Sequence, residues 1–132
     1  MGIIAFIIDV MVESLVLWKW RMTQETMKTM GIASAWIVFL LLSVLFGGIA
    51  AVLTVYVGPG AAGSGIAELM GYFNGIHLPG LIGVRTLIVK ILGTGLGVAA
   101  SLAIGKEGPL AHIGAIVGHM VLYMPFDFLK YF

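Results

Sequence analysis

Two glycine-rich stretches contain the residue types that could handle an anion. Residues 63–65 read Gly-Ser-Gly and residues 105–109 read Gly-Lys-Glu-Gly-Pro, and each stretch stands before an apolar segment. Free backbone N–H groups and the positive end of the dipole make the start of a helix a binding site for anions. Glycine permits close approach of the backbone, and Pro109 suits a first helical turn. The pattern predicts two helix N-termini that present donors, with the Ser64 hydroxyl as one more donor.

Glu107 adds a carboxylate to the second stretch, and a carboxylate at membrane depth is costly and usually functional. When ionised it would occupy the positive pocket in competition with an anion. When protonated or swung away it would open the path, and it could carry a proton. The simpler alternative is a carboxylate that caps its own helix near the surface. For Ser64 the alternatives are a packing role or an N-cap.

Composition places the chain in a membrane. Of its 132 residues 61% are apolar and 10% are charged, and the mean hydropathy is +1.13. A soluble domain has about a quarter of its residues charged, and a soluble chain of this size could not bury so much apolar surface in one core. The net charge of +1 gives no reason to expect nucleic acid as a partner.

Polar stretches divide the chain into apolar segments. Trp18 and Trp20, with the neighbouring Lys19 and Arg21, predict an aromatic belt at the membrane surface, and residues 21–28 predict a loop or a helix end. The predicted segments are residues 3–20, 32–57, 84–104 and 110–124, with a short one at 66–76. The sequence therefore predicts an all-α integral membrane protein with two or three full spans and one or two half-length helices that begin inside the membrane.

Two polar pairs favour structural roles. Asp9 and Glu13 are one helical turn apart, which we interpret as a polar face turned to water or to a protein partner. His112 and His119 are two turns apart on one face, but a metal site needs more ligands. Hydrogen-bonded packing is therefore predicted for both histidines, with no metal and no organic cofactor.

Glycine spacings in the apolar segments favour helix contacts over nucleotide binding. The pairs at 93/97 and 114/118 have the spacing of close helix packing. A phosphate-binding P-loop fails because Ala100 and Glu107 stand where it needs Gly and Ser or Thr. A dinucleotide pattern at residues 95–100 lacks the acidic residue about 20 positions further on. The sequence predicts no enzyme.

Taken together, the two stretches resemble motifs of the chloride channel (CLC) family of voltage-gated anion channels and proton-coupled anion exchangers. Residues 63–68, GSGIAE, look like its GSGIPE motif, and residues 105–109 look like its GKEGP motif in the Lys form of many eukaryotic members. The resemblance covers nearly the whole chain. It implies the family's helices B to F, a partial fold with broken and re-entrant helices.

The resemblance also implies roles for individual residues. Glu107 would be the gating glutamate that fills the outer anion position. Ser64 would help to coordinate the central anion and favours chloride, since Pro at that position is associated with nitrate preference in plant members. The implied anion-binding set is Gly63, Ser64, Gly65, Ile66, Lys106, Gly108 and Pro109. No residue is implied to be catalytic.

The chain departs from the family pattern at Ala67, which replaces a proline and would loosen the start of the short helix. The family's third motif, inner proton-relay glutamate, pore tyrosine, dimer-forming helices and cytoplasmic CBS domains have no counterpart within residues 1–132. We therefore expect residues 1–132 to be a single transmembrane domain, a fragment of a larger transport domain.

The leading hypothesis is part of a multi-pass channel or proton-coupled exchanger for chloride or a similar small anion. Its expected partners are that anion, protons in an exchanger, the lipid bilayer and a second copy through regions absent here. The alternative is a non-transporting truncated subunit that assembles with a full-length partner. By resemblance, residues 21–28 lie outside and the side with residues 68–85 faces the cytoplasm, whereas the count of Lys and Arg favours neither orientation.

Overall fold

The computed structural model describes residues 2–78, 80–105 and 107–123, and these residues fold into helices without any strand. The helices are α1 (Gly2–Met30), α2 (Ile32–Val52), α3 (Ile66–Phe73), α4 (Val84–Ala99) and α5 (Glu107–Tyr123), with a π-helical turn at Leu53–Val57 and a 3₁₀ turn at Pro59–Ala61. The all-α prediction is confirmed.

α1 and α2 form an antiparallel hairpin joined by one residue. Gly31 has a φ of 90°, in the left-handed region that favours glycine. Trp18 of α1 packs against Phe46 of α2, with ring centroids 6.3 Å apart. The polar residues 21–28 are the helical end of α1, so the helix-end interpretation of this stretch is right and the loop is wrong.

α2 continues through the π-helical turn, so residues 32–57 form one helix of 26 residues. At 1.5 Å per residue it is about 39 Å long, and its most apolar 18-residue stretch has a mean hydropathy of 2.6. Within the described ranges it is the one helix long and apolar enough to cross a membrane. Only 11% of that stretch is buried, which leaves its apolar surface for lipid or further protein. The additional spans stay a prediction.

The chain between α2 and α3 passes very close to its neighbours. A Cβ on Gly58 would lie 3.0 Å from the Val89 side chain, and a Cβ on Gly60 would overlap the carbonyl oxygen of Gly80. The Thr86 hydroxyl donates to that same carbonyl at 2.7 Å. Small residues at 58 and 60 therefore allow the segment before α3 to lie against α4 and the turn that precedes it.

α4 ends at Ala99, and the predicted end at residue 104 is wrong. Ser101 has a φ of 63°, which is uncommon for a residue other than glycine and turns the chain out of the helix. The Lys19 Nζ of α1 donates to the Ala99 carbonyl at 3.1 Å and to the Ser101 Oγ at 2.8 Å. An ammonium group at this end satisfies free carbonyls and complements the helix dipole. Hydropathy could not predict that α4 ends at Ala99, because residues 102–104 are as apolar as the helix before them.

Lys19 is buried, whereas the sequence predicts that it lies in an aromatic belt at the membrane surface. Trp18 and Trp20 are about half exposed, whereas Lys19 is 1% exposed. Its Nζ lies 4.0 Å from the centroid of the Phe39 ring, close enough for a cation–π contact. The lysine therefore lies inside the helix bundle between its tryptophan neighbours.

Two glycines of α4 allow close contacts, one with α1 and one with the chain that follows α4. A Cβ on Gly95 would overlap the terminal methyl of Met11, and a Cβ on Gly97 would lie 2.9 Å from Ile104 Cδ1. A Cβ on Gly118 would meet nothing within 4 Å among the described residues, and the helix contact predicted for the 114/118 pair stays a prediction. The core cluster consists of Phe46, Ala99 and Ala100, with Leu15, Val16 and Leu96 packed against it.

Candidate anion-binding site

The first glycine stretch forms a tight loop immediately before α3. Gly63 and Gly65 have φ angles of 63° and 81°, so both positions favour glycine. Ser64 lies exposed between them, and its Oγ accepts a hydrogen bond from the Ile66 N–H at 3.4 Å. Because the oxygen accepts this bond, the hydroxyl hydrogen stays available for another acceptor. Ser64 therefore assists the start of α3 and keeps a donor to offer.

A buried lysine of α4 holds this loop in place. Lys90 is 2% exposed, and its Nζ donates to three consecutive carbonyl oxygens. These belong to Ala61, Ala62 and Gly63, at 3.0, 3.5 and 2.7 Å. Hydrogen bonds from a charged donor are roughly twice as strong as neutral ones, and a buried ammonium needs such partners. Lys90 therefore fixes the carbonyls of the loop.

The Lys90 contacts also decide where loop N–H groups point. The C=O and N–H of a trans peptide point in opposite directions, and the described residues contain no cis peptide bond. Because the Gly63 carbonyl faces Lys90, the Ser64 N–H on the same peptide faces away from the lysine. The Ser64 N–H and hydroxyl are thus donors that Lys90 does not engage, and such donors are what an anion needs.

The second glycine stretch meets the first at the start of α5. An ideal Cβ on Gly108 would lie 2.8 Å from the Ser64 Cβ and 3.6 Å from Ile66 Cδ1. Real Cβ atoms do not come so close, so only glycine fits here without a shift. Pro109 is buried in the first turn of α5. The fold therefore brings together the two motifs that the sequence singled out.

An open cavity of about 630 Å³ adjoins both stretches. Gly63 and Ser64 line it from the first stretch, Pro109 lines it from the second, and Lys90 lines it from α4. A water molecule takes about 30 Å³ of liquid, so the cavity is large enough for a small anion with part of its hydration shell. Its other walls are mostly small or apolar residues of α2 and the π-helical turn, of α4, and of residues 61–62 and 102–104.

Glu107 lines a different cavity. It is exposed at the first residue of α5, where the helix dipole favours a carboxylate. Its cavity, of about 390 Å³, lies towards α1. Thr94 and Ile104 line both cavities and so form the wall between them. The structure places Glu107 beside the cavity of Ser64, one residue from the Gly108 contact.

The remaining predicted ligands differ in what the structure says of them. Gly65 directly precedes α3 and packs against the ring of His112. Ile66 is exposed at the first position of α3. Lys106 lies outside the described residues, so its contact with an anion stays a prediction. The end of the predicted segment at residue 124 lies outside them as well.

Two buried lysines were missed by sequence reasoning. Lys19 and Lys90 each interrupt an apolar stretch, and a lysine at such a position needs partners inside the protein. That signal was present in the sequence. The identity of the partners was not, because Lys90 contacts carbonyls 27 to 29 residues away and Lys19 contacts groups 80 and 82 residues away.

The predicted packing role of the histidines is confirmed in part. His112 is fully buried, and its Nε2 lies 3.1 Å from the Leu81 carbonyl oxygen. The ring of His119 packs edge-on against Tyr72, with centroids 6.3 Å apart. Among residues 2–78, 80–105 and 107–123, no group of three His, Cys, Asp or Glu side chains could hold a metal ion.

Residues 46–130 match the model of the voltage gated chloride channel family. The chain belongs to this family. The match begins in α2 and includes both glycine stretches, so the resemblance based on the two motifs is confirmed.

Individual relatives extend the match to nearly the whole chain. Putative chloride channel-like protein CLC-g and chloride channel protein CLC-d of Arabidopsis thaliana are 39% and 40% identical over 120 residues, each covering 91% of this chain. H(+)/Cl(-) exchange transporter 7 of Homo sapiens is 32% identical over 120 residues, covering 88%. These alignments cover 16%, 15% and 15% of the relatives. The chain thus spans about one sixth of the length of the curated relatives it matches.

Proposed function

We propose that this chain forms part of an anion pathway that moves chloride, or a similar small anion, across a membrane. The single observation that carries the proposal is the meeting of Ser64 and Gly108, which joins two helix starts at one cavity. Two helix N-termini supply positive dipole ends and N–H donors. Membership of the voltage gated chloride channel family and the names of the relatives point to the same ligand.

In this proposal the Ser64 hydroxyl and N–H, with the amides at the start of α5, hold the anion. The proposed ligand set is that implied by the resemblance: Gly63, Ser64, Gly65, Ile66, Lys106, Gly108 and Pro109. Lys90 adds positive potential at the wall of the cavity while it holds the loop carbonyls away from the anion. Carbonyl oxygens would repel an anion, so binding them to an ammonium removes an unfavourable contact.

Glu107 is the proposed gate. Its carboxylate competes with the anion for the positive start of α5 when ionised, because both are drawn to the same dipole. It lies next to the wall shared by the two cavities, and in this proposal a rotation of its side chain would open or close a path between them. Protonation would remove the competing charge, which links anion passage to protons in an exchanger.

The same proposal includes a multi-pass arrangement in a lipid bilayer, beyond the single apolar helix at 32–57. Non-helical backbone such as residues 62–65 is tolerated at membrane depth where protein buries it or where it lines a cavity. Residues 62–64 of this loop line a cavity, and Gly65 is buried. A homodimer is proposed only from family membership.

Reconstitution tests the proposal. The protein is expressed from its complete coding sequence and placed in liposomes loaded with chloride. These liposomes should release chloride at a rate that an ion-selective electrode can measure. Glu107→Gln is neutral at every pH and should change both the rate and its dependence on pH. Glu25→Gln, at an exposed position near the end of α1, is the matched control and should leave both unchanged.

The exposed apolar surface of residues 32–57 favours a second candidate, a non-transporting subunit that covers this face with a full-length partner. Coexpression with tagged chloride channel protein CLC-d, followed by purification in detergent, tests this candidate. Chloride release without CLC-d excludes the non-transporting subunit. Absence of release from pure protein, together with stable copurification, rejects the pathway proposal.

A further inference from the structure

His112 lies at the junction of three segments. It is in the second turn of α5 and is completely buried. Its Nε2 lies 3.1 Å from the carbonyl oxygen of Leu81. A carbonyl only accepts hydrogen bonds, so Nε2 carries the hydrogen and this contact fixes the tautomer. The ring thereby ties α5 to the turn that leads into α4.

The other edge of the ring presses on the first glycine stretch. A Cβ on Gly65 would overlap the His112 Nδ1, and it would lie 2.7 Å from Cγ and 3.0 Å from Cε1 of the same ring. The Cα of Gly65 therefore touches the imidazole directly. In the described part of the chain, Nδ1 is the buried side-chain nitrogen or oxygen atom without a hydrogen-bond partner.

This unpaired nitrogen argues against simple filling of space. Leaving a buried acceptor unsatisfied is unfavourable, and an apolar side chain of similar shape would avoid that cost. Packing alone therefore does not account for a histidine here. The imidazole supplies what an apolar residue cannot, a rigid ring with a donor on one edge and a flat edge for Gly65 on the other.

The contacts of α5 with the loop come from one face of the helix. Gly108 meets Ser64, and His112, four residues later, meets Gly65. Residues four apart lie on the same face of a helix. Two consecutive loop residues are therefore matched to two consecutive turns of α5, and a shift or rotation of α5 would break both contacts together.

We infer that His112 is a positioning residue. It keeps the loop that contains Ser64 at a fixed position relative to the first turns of α5, where Glu107 lies. This inference rests on the proposed function, because the register matters only if both helix starts bind one anion. His112 does not touch the anion in this account. It acts through the spacing between Gly65 and the first turns of α5.

Three substitutions separate the two edges of the ring. His112→Gln can place an amide N–H where Nε2 is and keep the bond to Leu81. His112→Asn is too short to reach Leu81, although its amide falls near the Nδ1 position. His112→Leu fills the space without any donor. His77→Gln, at an exposed position, is the control.

The readout is the chloride concentration at half-maximal flux, measured in liposomes beside the maximal rate. For His112→Leu and His112→Asn we expect this concentration to rise about fivefold to tenfold, the size of one lost hydrogen bond, with a smaller change in maximal rate. His112→Gln should fall closer to the unsubstituted protein than His112→Asn does. Thermal unfolding in detergent should not follow the same order.

The outcomes keep the two proposals apart. No flux from the unsubstituted protein overturns the proposed function and, with it, this inference. Flux that responds to Glu107→Gln while all three His112 variants match the His77 control overturns the inference alone. If Leu and Asn variants fail to fold, the Gln variant decides: half-saturation within twofold of the unsubstituted protein supports positioning through Nε2, and a tenfold rise contradicts it.

Discussion

A buried lysine from another helix acts close to each glycine stretch, but only one of the two lysines contacts the stretch itself. Lys90 donates to three carbonyls of the first stretch and its approach, up to Gly63 itself. Lys19 donates only to the end of α4 and to Ser101, four residues before the second stretch begins. Residues 102–105 are exposed.

The two stretches therefore differ in how directly a lysine positions them. Lys90 holds the carbonyl of Gly63, the first residue of the first stretch, so the Ser64 N–H on the same peptide has a set direction. Lys19 reaches only the chain before the second stretch, whose described contacts are made by Gly108 and Pro109 at the start of α5. This difference suits the proposed roles of a binding loop and a gate, because ligands must be preorganised while a gate must move.

The largest effect on chloride flux is expected from removing the lysine that contacts the first glycine stretch. Lys90→Met removes the ammonium that orients the carbonyls of residues 61–63. Loss of a charged hydrogen bond costs about 2 kcal/mol, so chloride flux in liposomes should fall about thirtyfold. Arg85→Met, at an exposed position on the same helix, should keep normal flux. Equal flux from both variants would show that the lysine does not set the loop.

A smaller effect should follow from separating the two stretches. Gly108→Ala places a Cβ 2.8 Å from that of Ser64, which pushes the helix starts apart by roughly 1 Å to restore normal contact. Misplacement of this size can reduce the rate about 10²-fold in a tightly organised site; here the loop at 105 can absorb part of it, and we expect about tenfold slower flux.

The matched control for this change lies on the same helix. Gly118→Ala adds a methyl that meets nothing within 4 Å in the described residues. It should leave flux normal and stabilise α5 by about 1 kcal/mol, since alanine favours helix over glycine. Normal flux from Gly108→Ala would contradict the close meeting of the two stretches.

The smallest effect should come from the lysine that holds only the approach. Lys19→Met removes a cation from the end of α4, worth about 1–2 kcal/mol in a buried setting. We expect a lower midpoint of thermal unfolding in detergent, with flux reduced less than by Lys90→Met. Lys28→Met, exposed on the same helix, should shift the midpoint little. A flux loss larger than that of Lys90→Met would contradict the expectation that Lys90 matters more than Lys19 for anion flux.

The sequence allowed prediction of the helices and of the two helix starts because these depend on local patterns. Apolar run length set residues 32–57, and the glycine stretches marked α3 and α5. The end of α4 was mispredicted because it depends on Lys19, which is distant in sequence. The family resemblance implied that both stretches bind anions, whereas no local pattern could show that Ser64 meets Gly108 or that His112 presses on Gly65.

The Lys19 contact has a consequence for the time course of synthesis. Its acceptor on Ala99 is made 80 residues later, and ribosomes add about 5–20 residues per second. For about 4–16 seconds the nascent α1 therefore carries a cation without its final partners, and an unpaired cation is poorly accommodated in hydrocarbon. In the proposed multi-pass arrangement, α1 would therefore stay at the lipid–water boundary, or in the translocation machinery, until α4 is made.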